Sequence, residues 1–245
     1  MKAIYDGIGE EYSIGRRTDP TIALFLDRFL SDSNSILNVG AGTGSYEPSN
    51  KNLVAVEPST KMISQRADQA YPVKQAFAEN LPFDDASFTH SMTILSMHHW
   101  LDRAAAFREI KRVTAKRFVA LTWNPDSKPY WLTRDYFPEI YEIDRSIFPS
   151  TSELSDTFPG MKYYPLEIPA DCIDGFTAAY WARPVAYLDS VVRSGMSTFF
   201  KINNLEQGLT ALRNDLKSGA WHSRNGYLLE LKRLDVGYVV AVWDA

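Results

Sequence analysis

The stretch Ile36–Pro58 reads ILNVGAGTGSYEPSNKNLVAVEP. One apolar run, ILNV, stops at glycines 40, 42 and 44, and a second, LVAV, stops at Glu57. Short apolar runs bounded by turn residues read as buried strands. Glycine carries no Cβ, so the backbone N–H groups of such a turn can approach a bound molecule closely. An acid at the end of the following strand is placed to accept both hydroxyls of a ribose. Glu57 stands seventeen residues beyond Gly40, near the ~20-residue interval of nucleotide-binding βαβ units. Strand, glycine turn, strand and acid together point to an adenosine-containing ligand. The competing reading is a tight turn that needs positive φ, with Glu57 merely solvated.

A dinucleotide loop has the pattern G-x-G-x-x-G, with the pyrophosphate at a helix N-terminus. Here Gly40 and Gly42 fit, but Ser45 occupies the third position and Gly44 comes one residue early. Pro48 interrupts SYEPSNKN, leaving room for at most about one helical turn. The Tyr-x-x-x-Lys pair of many short-chain dehydrogenases is absent. These features argue against an NAD(P)-dependent oxidoreductase.

Outward from this stretch, strands and helices alternate. DPTIALFLDRFL, residues 19–30, reads as an amphipathic helix with Asp19 as N-cap and Pro20 at the first helical position. Residues 59–70 and 102–113 read as helices, and 73–76, 88–94 and 117–122 as strands. The alternation implies a doubly wound, mostly parallel α/β sheet with helices on both faces. After Thr122 the pattern changes. Residues 123–148 hold seven aromatics, Trp123, Tyr130, Trp131, Tyr136, Phe137, Tyr141 and Phe148, and are broken by prolines. Residues 163–168 look like a strand, 178–187 and 205–217 like helices, and Tyr238–Trp243 (YVVAVW) like a closing strand. The organisation expected is a lid and core over 1–122, an aromatic-rich helical cap over 123–237 that includes one core strand, and a final core strand over 238–245.

The totals exclude several classes. With 26 basic and 30 acidic residues the net charge is −4, which offers no electrostatic footprint for nucleic acid or an anionic membrane. Cys172 is the single cysteine, so no intrachain disulfide is possible and a reducing cytoplasm is the default expectation. The start, MKAIYDGIGEEY, lacks the basic and apolar segments of a signal peptide.

VGAGTGSYE, AVEPS and AENLPFDDASF, followed by HHW and FREIKRV, resemble the class I S-adenosylmethionine-dependent methyltransferases over about residues 35–122. Within that superfamily the chain is similar to the branch of trans-aconitate methyltransferase and the ubiquinone/menaquinone C-methyltransferases. The resemblance implies a seven-stranded Rossmann-like sheet whose last strand is antiparallel, and S-adenosylmethionine (SAM) as cofactor. It implies that Gly40, Gly42 and Gly44 pass under the methionine and ribose, and that Glu57 binds the ribose hydroxyls. Pro58 and Met62 would then pack near the adenine, Ala78 and Glu79 would meet its edge, and Thr93 would lie near the methionine end. It also suggests an N-terminal lid carrying Tyr5, Tyr12 and Arg16.

Methyl transfer from a sulfonium needs alignment and exclusion of water more than it needs a base. His98 follows the fourth strand, where the ligand crevice of a doubly wound fold opens, and is the candidate base; the competing role for His98 and His99 is to brace the loop. Adjacent histidines diverge and no third ligand accompanies them, so no metal is expected. Trp123, Trp131 and Arg134 are the expected substrate-pocket residues, with Trp181 and Tyr187 behind them. The expected activity is methyl transfer to a small-molecule acceptor. A SAM-binding sensor or partner subunit without transferase activity fits the same residues.

Overall fold

The computed structural model describes residues 16–245. Tyr5 and Tyr12 of the expected lid lie outside the described residues. Seven strands form one sheet: β1 Ile36–Val39, β2 Leu53–Val56, β3 Val73–Lys74, β4 Phe88–Ile94, β5 Thr114–Trp123, β6 Lys162–Pro165 and β7 Tyr238–Asp244. Their order across the sheet is β3-β2-β1-β4-β5-β7-β6. β1 pairs in parallel with β2 and β4, β2 with β3, and β4 with β5. β7 alone runs the other way, antiparallel to both β5 and β6. All four residues of β1 are buried, as a parallel strand covered on both faces requires. The chain goes from β1 out to β2 and β3 on one side, then returns to β4 on the other. The carboxyl ends of β1 and β4 therefore flank a topological switch point, where such sheets leave a crevice.

The helices are α1 Pro20–Leu30, α2 Thr60–Ser64 and α3 Arg103–Val113, followed after β5 by α4 Trp131–Asp135, α5 Pro138–Ile147, α6 Thr151–Thr157, α7 Ser190–Ser194, α8 Leu205–Ser218 and α9 Ala220–Asn225. α1 starts where its sequence says it should. Asp19 Oδ1 accepts the N–H groups of Thr21 and Ile22 at 2.9 and 3.2 Å, and Ile22, Leu26 and Leu30 turn one face inward. Successive residues of β1 face opposite sides of the sheet. Ile36 joins a cluster with Ile22, Leu26, Trp131, Trp181 and Trp221, whereas Leu37 joins Phe107, Ile110, Phe118, Leu154 and Phe158. The aromatic segment after β5 thus shares one continuous core with α1 and the sheet. No helix among the described residues is long and apolar enough to cross a membrane.

Four expected elements change, the strand expected over 73–76 being only Val73–Lys74. The helix expected over 59–70 is only Thr60–Ser64, because Arg66 turns back to pair with Glu47 (2.8 Å) and to donate to the Gly42 carbonyl (3.3 Å). The strand expected over 163–168 ends at Pro165; Ile168–Pro169 instead forms a two-residue ribbon with Arg233–Leu234. The helix expected over 178–187 is a run of turns with a 3-10 segment at Pro184–Leu188, since Arg183 before the proline is non-helical.

Asp19 also accepts the N–H of Ile173 through Oδ2, at 3.1 Å. Asp19→Ala removes the cap and this tie to the segment after β6, and should lower stability by about 1–2 kcal/mol. Urea unfolding measures it; an unchanged midpoint would show that neither bond contributes.

Candidate active site

A cleft of about 980 Å³, counting its open mouth, lies at the carboxyl ends of β1, β2 and β4. Gly40, Ala41 and Gly42 form one wall and Glu57, Pro58 and Met62 the next. Ala78 and Glu79 form the third, with Ser96, His99 and Trp100 after β4 opposite. Arg16 reaches its rim.

The Glu57 carboxylate is buried and holds two loops together. Oε2 accepts the N–H of Gly42 at 2.8 Å and Oε1 that of Ser59 at 2.9 Å. Gly42 has φ +53°, and a Cβ there would come within 3.2 Å of Met62 Cε on the cleft wall. Gly40 is a glycine for a different reason. Its φ is +69°, and a Cβ would lie 2.3 Å from Ser96 Oγ, so the crossing of β1 past the loop after β4 leaves no room for a side chain.

A second cavity, of about 440 Å³ counting its open mouth, shares Arg16 and Leu95 with the cleft. His98, Asp144, Phe148, Met196, Thr198 and Tyr238 line it. A third, of about 330 Å³ counted in the same way, meets the second at Asp144, Thr177 and Tyr238 and is walled by Trp123. Among the described residues, no three His, Cys, Asp or Glu side chains gather as a metal site.

Residues 37–118 match the methyltransferase domain family. A protein described as a methyltransferase from an antibiotic biosynthesis pathway of Anabaena variabilis is 31% identical, with a TM-score of 0.85 over 94% of this chain and 98% of its own. This chain belongs to the S-adenosylmethionine-dependent methyltransferases. A demethylmenaquinone methyltransferase of Mycolicibacterium gilvum is 28% identical over 128 residues, 46% of this chain. The match spans about half of that relative, 55% of its length. The [4+2]-cyclase SpnF, 12% identical, shares the fold alone, with a TM-score of 0.57 over 98% of this chain and 93% of its own.

Within this methyltransferase fold, Gly40, Gly42, Glu57, Pro58, Met62, Ala78, Glu79 and Arg16 surround the one cleft. Other expected site residues stand elsewhere. Gly44 faces the Arg66–Glu47 pair, where a Cβ would sit 3.1 Å from both side chains. Thr93 is fully buried and braces the site from behind: its Oγ1 donates to Val39 O at 2.8 Å and lies 2.7 Å from Ser96 Oγ. Trp131 is core, its indole N–H donated to Trp181 O at 2.8 Å. Trp181 and Tyr187 are buried beside it. Arg134 lies outward, paired with Asp135 at 2.7 Å. These four were placed by composition, and packing sends them to the core or the surface instead.

His98 is stacked between His99 and Phe148, with ring centroids at 3.8 and 4.2 Å. Burial, then the nearby His99, Lys201, Arg16 and Arg103, holds it well below its ordinary value. A ring so reluctant to take a proton is a poor base at neutrality, and the geometry makes it a wall. It makes no bond of the bracing kind through Nδ1, which has no hydrogen-bond partner among the described residues. Glu79 does brace the loop: Oε1 accepts the N–H groups of Leu101 and Asp102 at 2.8 and 3.2 Å. Sequence reasoning passed over Asn38, Phe77, Trp100 and the acid Asp144. Asp144 had a legible signal, since it interrupts the stripe Ile140, Tyr141, Ile147 at helical spacing.

Two outcomes follow. Trp131→Ala empties a fully packed core position and should cost about 3–5 kcal/mol, seen as a large fall in the urea midpoint; a variant as stable as wild type would return Trp131 to the pocket. On acidification the unfolded chain takes up the His98 proton first. This contribution to stability is therefore whole above about pH 6.5 and is lost as pH falls below it. The stability difference between wild type and His98→Gln should shrink between pH 7.5 and pH 5. Parallel pH curves would mean that His98 is not held neutral.

Proposed function

We propose that this chain transfers the methyl group of SAM to a small-molecule acceptor. The observation that carries the reading is the single cleft at the switch point, in which a positive-φ glycine and a buried, N–H-anchored carboxylate stand side by side. The residues fit the cofactor. Gly42 leaves the space a side chain would fill, and Glu57 is held at the position from which a carboxylate accepts ribose hydroxyls. Gly40 and Gly42 would support the ribose and methionine portions, Glu57 the hydroxyls, and Pro58, Met62, Ala78 and Glu79 the adenine. When bound, SAM supplies a methyl group on a good leaving group. The chain's own task is then to align the acceptor and to keep water out.

The same reading treats residues 123–237 as a cap over the acceptor side. It also places the chain in a reducing, cytoplasmic compartment, with Cys172 buried as a thiol. The net charge of −4 supports a small molecule rather than nucleic acid as partner.

Calorimetric titration with SAM, S-adenosylhomocysteine and NAD(H) tests the reading. Hydrogen bonds to a charged group contribute about 1.5–3 kcal/mol, and each ~1.4 kcal/mol is tenfold. Glu57→Ala should therefore weaken SAM binding about ten- to a hundredfold, and Gly42→Val should abolish it. Tight NAD(H) binding without SAM or S-adenosylhomocysteine binding would overturn the reading, and S-adenosylhomocysteine formation with any acceptor would remove the sensor alternative.

A further inference from the structure

The second cavity combines apolar side chains with polar ones, two of them charged. Leu95, Phe148, Phe176, Met196 and the ring of Tyr238 make the walls. The charged groups are Arg16, already paired with Asp174 at 2.6 Å, and Asp144 on α5. Thr198 Oγ1 donates to Asp144 Oδ1 at 2.7 Å. Among the described residues Asp144 forms no ion pair, and Thr198 engages only one of its two oxygens. Asp144 is half-buried, and its second oxygen is left able to take a hydrogen bond from a bound molecule. Burial pushes Asp144 up to about 6, against the pull of Thr198 and the charge of Lys201. At neutral pH it is still mainly ionised and ready to accept.

We propose that this cavity is the acceptor site, and that the Asp144 carboxylate receives the hydrogen bond of a neutral hydroxyl on an apolar, ring-bearing acceptor. The proposal rests on the methyltransferase reading, and the shared lining residues Arg16 and Leu95 put the two chambers side by side. The charge pattern selects the hydroxyl. Burial above all, then the charges of Lys201 and Arg16, holds the neighbouring His99 down to about 3, and the Arg16 guanidinium, though paired with Asp174, lines this cavity and stands against a second cation. An ammonium acceptor therefore meets a like charge. An anion meets the Asp144 carboxylate itself. A bare hydrocarbon fills the apolar walls but leaves the carboxylate unmet. A hydroxyl satisfies it without adding charge, and the rings of Phe148, Phe176 and Tyr238 in the lining add aromatic surface for a ring-bearing body.

Three probes that share one ring separate these cases: p-cresol, toluene and benzylamine, titrated by NMR into the full chain saturated with S-adenosylhomocysteine. The expected order places p-cresol about tenfold ahead of toluene, with benzylamine weakest. In Asp144→Asn, checked for folding by its melting curve, the advantage of p-cresol over toluene should disappear. Equal binding of p-cresol and toluene to wild type, benzylamine ahead of p-cresol, or an unchanged preference in Asp144→Asn overturns the proposal. If the variant does not fold, the wild-type ranking alone decides. S-adenosylhomocysteine is titrated first, so loss of the methyltransferase reading appears as failure of that step, separately from the ranking of the probes.

Discussion

The bond from the Gly42 N–H to the Glu57 carboxylate is the constraint around which the site is arranged. A buried carboxylate is tolerated only where donors meet it, and here both are backbone groups on different loops. The Val56 carbonyl adds to the same junction by accepting the N–H groups of Gly40 and Ala41 at 2.9 and 3.0 Å. The glycine turn is thereby held against the end of β2, and the start of α2 is held against the same acid. The cleft exists because these two loops cannot separate, and the backbone between them has no side chain to fill it.

A second support stands in the connection between β1 and β2. The segment after Gly44 forms turns, and Glu47 within it meets Arg66 in an ion pair whose side chains are 3% and 6% exposed on the Arg66 and Glu47 sides. Asn38 Nδ2 donates to the same carboxylate at 3.0 Å, and the Tyr71 hydroxyl donates to Pro48 O at 2.8 Å. A buried pair of this kind adds little net stability, but losing one partner strands the other charge. Its contribution is to fix where the irregular loop lies.

The segment after β6 is tied to the cleft by a polar chain as well as by aromatic packing. Arg16 pairs with the buried Asp174 at 2.6 Å, and the Tyr46 hydroxyl donates to the other Asp174 oxygen at 2.8 Å. Asp174 belongs to the segment after β6, Tyr46 to the glycine loop, and Arg16 lines both the cleft and the second cavity. Burial and the Asp174 charge raise the Tyr46 phenol far above its ordinary value, so it stays a donor. The cleft and the second cavity are therefore joined to one connected group of side chains.

The local code determined the elements whose signals are local. Asp19 and Pro20 mark the start of α1, ILNV and LVAV mark buried strands, and GAGTG with Glu57 marks the cleft, because capping, periodicity and chain reversal act within a few residues. Element ends were less legible. Arg66 stops α2 through Glu47, nineteen positions earlier, and no window around Arg66 contains that partner. Side-chain destination was the least legible of all. Trp123 and Trp131 look alike in sequence, yet one walls a cavity and the other is sealed by Trp181, Tyr187 and Trp221. Asp144 shows the boundary between the two kinds of information. Its place on an apolar helical stripe was readable, but its meeting with Thr198, fifty-four residues on, depended on the tertiary structure, which alone decides which groups leave water together.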